Sequence, residues 1–169
     1  MNTFLDIKIG RWSLLVLKGE WIARHQPSKL PRTPAIYVLN LKQVNYVGQS
    51  IDAYRRVRHH IRKRHQQNNG AGTATLILNR EEEVNEALLV HIEFGLMLIH
   101  LGCDRQLVSK QTELPLGSKA VRRRALEFFE EFAARFFVAA PHLIGSCSRR
   151  NQRAMGEVLP YLRMIWADR

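Results

Sequence analysis

Two phenols, a guanidinium and an imidazole lie close enough in this sequence to act together on a phosphate ester, and a lone carboxylate follows in an apolar segment. Tyr37 lies in AIYVLN, Tyr46 in NYVGQS, Arg56 and His60 in AYRRVRHH, and Glu93 in LLVHIEFGLMLIHLG. Arginine offers a fork for two phosphate oxygens, and tyrosine and histidine donate hydrogen bonds or relay protons. Glu93 poses a separate question, because a carboxylate inside an apolar segment needs a cation, a hydrogen-bond partner or a cleft. Two answers compete: a hard oxygen anchor for a divalent ion, or an acid neutralised by one of the many arginines.

These residues must be carried by regular elements. Ala35 to Ser50 is two β-rich runs around a short polar centre, which predicts a hairpin. Alternation puts Ala35, Tyr37 and Leu39 on one face of the first strand, and Tyr46 and Gly48 on one face of the second. In a tight hairpin the two tyrosines are expected nearly opposite each other, with Gly48 leaving the sheet open beside them. Taken alone, two strand tyrosines also fit a packed aromatic pair. IDAYRRVRHHIRKRHQQNNG then predicts a basic helix, capped by Ser50 or Asp52, with Tyr54, Val57 and Ile61 as its core stripe. Arg56 and His60 are one turn apart and project together. TATLILN is a third strand, and a helix is expected from Glu81 to about His100, carrying Glu93. The order β-β-α-β-α followed by helices predicts an α+β fold with a small antiparallel three-stranded sheet and a helical C-terminal extension.

Residues 1–33 read as an N-terminal extension packed on the core, in which DIKIG and SLLVLKG could be short strands and GEWIARHQ a helical turn. Residues 34–112 form the core and 113–169 the helical extension. KLPRTP is expected as a linker, since its prolines disfavour helix. SKAVRRRALEFFEEFAARFFVAA predicts an amphipathic helix whose Leu126, Phe129, Phe132, Phe136 and Phe137 serve as core or as a homodimer face. A last helix is expected from Arg149 to Ala167, with Pro160 starting or kinking a turn.

Charge narrows the partner. Lys and Arg number 26 against 15 Asp and Glu, a net +11. Such an excess favours a polyanion, because each cation seated on a phosphate backbone releases a counterion. Cys103 and Cys147 form no CxxC pair, so reduced thiols are expected. MNTFLDIKIGRW lacks the basic and apolar blocks of a secretory signal, and no uncharged apolar run reaches the ~18 residues of a membrane span. The expectation is a soluble cytoplasmic protein.

AIY, then YVG, then Arg56 and His60 on the next helix and Glu93 on a later one resemble the GIY-YIG nuclease superfamily over about residues 34–110. The resemblance implies a divalent-metal-dependent endonuclease that hydrolyses phosphodiester bonds in DNA. It implies Mg²⁺ or Mn²⁺ on Glu93, with Tyr37 helping to orient or activate water. Arg56 and Tyr46 would steady the scissile phosphate, and His60 would serve proton transfer or phosphate contact. Arg55, Arg58, Arg62 and Lys63 form a rim suited to the nucleic-acid backbone, as do KAVRRRA and SCSRRNQRA unless these are ordinary solvated helix ends. Two positions depart from the family pattern. Ala35 replaces the first glycine, and RQLVSKQTE offers Ser109 and Gln111 where the family carries an asparagine. The second departure keeps open a catalytically weakened DNA-binding protein, and RNA or single-stranded DNA remain possible substrates.

Overall fold

The computed structural model describes residues 5–24, 32, 34–40, 45–65, 72–79, 84–102, 113–133, 135 and 148–167. Its organising feature is the alternation along five strands. These are β1 (Leu5–Ile9), β2 (Trp12–Lys18), β3 (Ala35–Asn40), β4 (Asn45–Ser50) and β5 (Thr73–Asn79). They form one antiparallel sheet in the order β1-β2-β5-β3-β4. Leu17, Ala35, Tyr37, Leu39, Ala74, Leu76 and Leu78 point to one face, and Leu14, Ile36, Val38, Val47 and Ile77 to the other. Apolar side chains therefore occupy both faces of the central strands, and helices must cover both.

The first face is closed by α1 (Gly19–Arg24) and α2 (Ala53–His65), with Ala53, Val57 and Ile61 buried against the sheet. Asp52 starts α2: its Oδ1 accepts from the Arg55 N–H at 3.3 Å, while its own N–H donates to Ser50 Oγ at 3.1 Å. The second face is covered by α3 (Glu86–Gly102), α4 (Lys119–Phe128, continued by a π-turn over Phe129–Ala133) and α5 (Ser148–Ala167). Asn85 caps α3 through Leu88 N–H at 2.8 Å, and Ser118 caps α4 through Val121 N–H at 3.3 Å. Glu86 is the acid in the first turn of α3; residues 81–83, expected inside this helix, lie outside the described residues. Pro160 sits within α5, which runs on to Ala167.

The α+β class and the antiparallel sheet stand, but the sheet is larger than the three strands expected. Residues 5–18 are a hairpin turned at Gly10, whose φ of +56° suits a residue without Cβ, and β2 pairs along the whole of β5. The N-terminal segment is thus part of the sheet itself. Without it β5, apolar on both faces, would be an unprotected edge. Phe128 and Phe129 are fully buried in the second core, so Phe129 is a core residue and not a dimer face. Residues 25–28, the linker residues 29–31 and 33, Cys103, Cys147, Ser109, Gln111, Phe136 and Phe137 lie outside the described residues.

Candidate functional site

Strand register sets the two tyrosines. Tyr37 is paired with Gly48, and Tyr46 with Leu39, so the phenols are diagonal neighbours and not directly opposite. Their rings still meet: the centroids are 5.9 Å apart and the planes differ by 16°. Gly48 makes this possible. A Cβ there would lie 2.6 Å from Cζ and Oη of Tyr37 and 2.7 Å from Cε1 of Tyr46. Both rings lie over the bare backbone of this one residue.

From α2, His60 enters the same cluster. Its ring centroid is 4.6 Å from that of Tyr46, and its Nε2 is 3.4 Å from the Tyr37 hydroxyl, the donor being set by the imidazole tautomer. Arg56, one turn earlier, hydrogen-bonds to the Tyr37 and Tyr46 hydroxyls, and these bonds, that of Tyr37 foremost, hold its guanidinium still more firmly charged. Tyr37 is 1% exposed. Burial, seconded by neighbouring Tyr46, drives its pKa well above the ordinary phenol value, and the bond from Arg56 offsets this only in part. In the protein as it stands Tyr37 is therefore a neutral hydrogen-bonding group and not a ready base. Tyr37, Tyr46, Arg56 and His60 form one contact network; Tyr46 and His60 are half-buried at its rim and Arg56 is exposed.

Glu93 occupies a different layer. Its helix packs on the second face, against β3 and the edge strand β4. A side chain from α3 reaches the tyrosine face only around the β4 edge. Glu93 is 8% exposed, and burial alone pushes its carboxyl pKa up to about 7. Among the described residues no arginine, lysine or histidine pairs with it, so of the two readings of this acid, neutralisation by an internal arginine has no support from these residues. Among these residues Glu93 supplies hard oxygen atoms without a competing cation, which suits an anchor for a magnesium-class ion whose other ligands are water and phosphate. The described residues contain no group of three or more His, Cys, Asp or Glu able to enclose a metal by themselves.

The basic rim resolves into two rows on α2. Arg55, Arg58 and Arg62 follow one row, with Arg55 and Arg62 exposed; Arg56, His60 and Lys63 follow the other. Arg58 is half-buried, and desolvation, then the charge of Arg62, lowers its pKa. Beside the cluster a cleft of about 550 Å³ is lined by Arg32, Ser50, Ile51, Asp52, Arg55, Arg56 and His59. Arg32, Ile51 and His59 were not legible as site residues, because the cleft joins the β4–α2 corner to a segment distant in sequence. No helix of the described residues is long and apolar enough to cross a membrane. Comparison with family models, curated proteins and solved structures gives no match for the chain.

Proposed function

We propose that the protein is a divalent-metal-dependent endonuclease of the GIY-YIG type, hydrolysing phosphodiester bonds in DNA. The observation that carries this reading is the network of two phenols, a guanidinium and an imidazole over Gly48, at the mouth of an arginine-lined cleft. A phosphate seated there meets the exposed fork of Arg56 and the hydroxyl of Tyr46, which stabilise charge as it builds on the equatorial oxygens. Tyr37, kept neutral by burial, orients the attacking water through its hydroxyl, and His60 beside it accepts or returns the proton. Glu93 would hold the metal, which when bound supplies positive charge to the departing oxygen. This last role requires the carboxylate to act around the β4 edge, and the test is built on it.

Purified protein is incubated with supercoiled plasmid and with single-stranded DNA, with and without Mg²⁺, beside Glu93→Ala. Metal-dependent nicking that disappears in the variant is the expected result. Salt-sensitive binding with no cleavage under any of these conditions would refute the hydrolase and assign the second reading, a DNA-binding protein whose chemistry has decayed.

A further inference from the structure

The cleft next to the tyrosine network has a shape that the proposed chemistry alone does not require. A duplex lying across a basic helix needs a broad, shallow surface. Here a concavity of about 550 Å³ opens between Arg32 and the β4–α2 corner, within the roughly 300–1,000 Å³ that encloses a small ligand. Its basic side chains, Arg32, Arg55, Arg56 and His59, come from two separate segments of chain. Ile51 stands among them, 62% exposed, an apolar side chain in an otherwise polar lining. Asp52 adds little repulsion of an anion, because its carboxylate accepts the Arg55 N–H and lies 3.9 Å from the Arg55 guanidinium.

We infer that this cleft receives one unstacked nucleotide of DNA, next to the linkage held by the tyrosine network. The protein therefore binds unpaired DNA in preference to duplex. Arg32, Arg55 and His59 take the flanking phosphates, and Ile51 packs against the exposed base or sugar face. A base within a duplex cannot reach a cleft of this size without being pulled from its stack, which costs least where the strand is already unpaired. Ile51 is the element that distinguishes this from plain backbone attraction: a charged rim alone is satisfied by any polyanion, whereas an apolar contact is gained only from a base or sugar. The inference rests on the endonuclease reading for the identity of the ligand, but not on catalysis.

The experiment is fluorescence anisotropy with one short labelled oligonucleotide of mixed sequence, used single-stranded and annealed to its complement, in EDTA over a range of salt. Tighter binding of the single strand is expected. Ile51→Ser should weaken single-strand binding several-fold, leave duplex binding unchanged and keep the salt slope. Arg32→Ala should lower that slope by about 0.7, the value for one phosphate contact on a single strand. Circular dichroism confirms folding of both variants, whose altered side chains are exposed. Duplex bound as tightly as single strand, or an Ile51→Ser protein indistinguishable from wild type, would overturn the inference. Single-strand preference that depends on Ile51 in a protein that never cleaves would uphold the cleft and remove only the hydrolase.

Discussion

Gly48→Ala is the sharpest perturbation of this structure, because one methyl group tests the geometry of the whole tyrosine network. The added Cβ would sit 2.6 Å from Cζ and Oη of Tyr37 and 2.7 Å from Cε1 of Tyr46, far inside van der Waals contact. Tyr37 has no room to yield, being 1% exposed and packed among Ala53, Val57, Ile61 and Leu76. Either the ring leaves its rotamer or β4 lifts away, and overpacking of this kind costs about 1–3 kcal/mol. For a chain of this size that is a fall in Tm of about 2–12 °C. Gly156→Ala is the matched control. Gly156 lies in α5 with no atom within 4 Å of the new methyl, so the substitution should gain up to about 1 kcal/mol from helix propensity. Thermal melts and urea titrations of both variants provide the measurement, and DNA nicking supplies a second readout for Gly48→Ala. A Gly48→Ala protein that melts within about 1 °C of wild type, with nicking unchanged, would refute the placement of the two rings over this glycine.

Three further outcomes are expected. Burial raises the Glu93 pKa from 4.5 to about 7, so between those values the folded protein keeps a proton that the unfolded chain releases. Stability should therefore decline as pH rises through this window, by up to about 3 kcal/mol, and urea titrations at pH 5 and pH 8 should show Glu93→Gln abolishing the decline. His91 acts in the opposite sense: it is 1% exposed, its Nδ1–H donates to the Ala87 carbonyl at 2.7 Å, and its buried Nε2 has no hydrogen-bond partner among the described residues. Burial first, then the nearby charge of Arg122, lowers its pKa against the raising effect of the Ala87 bond; stability is present above the ordinary histidine value and lost as pH falls through it, a loss that His91→Gln should remove in the same titrations. Finally, Arg56→Lys keeps the charge but not the fork, and should slow metal-dependent nicking about 100-fold while lowering Tm by no more than about 4 °C, because the side chain is exposed and its bonds to the two hydroxyls are worth about 1 kcal/mol; an unchanged rate would remove Arg56 from the proposed phosphate site.

Local pattern was enough to place most of the elements. The β3–β4 hairpin, the basic helix and its Asp52 cap, the third strand and the apolar helix around Glu93 follow from alternation, helical spacing and capping chemistry. These depend on neighbours in sequence. The grouping of Tyr37, Tyr46, Arg56 and His60 was legible for the same reason: they lie on two adjacent strands and the helix that directly follows. Hairpin register was less legible. A shift of two residues keeps every side chain on its own face, so the alternation is blind to it, and the loop alone decides whether Tyr37 meets Tyr46 or Gly48.

Tertiary structure decided what depends on distant partners. DIKIG and SLLVLKG could be read as strands, but nothing local says that β2 would complete the free edge of β5. Edge pairing is chosen by backbone hydrogen bonds and by apolar area on both faces, and the partner lies some sixty residues away. Local pattern likewise left the protonation of Tyr37 and Glu93 open, since each pKa is set by the depth of burial that the packed helices impose. The cleft around Ile51 exists only once Arg32 is brought beside the β4–α2 corner. Residue types and spacing supplied the groups of the candidate site, and long-range packing determined which of them are buried and where the arginine-lined cleft opens.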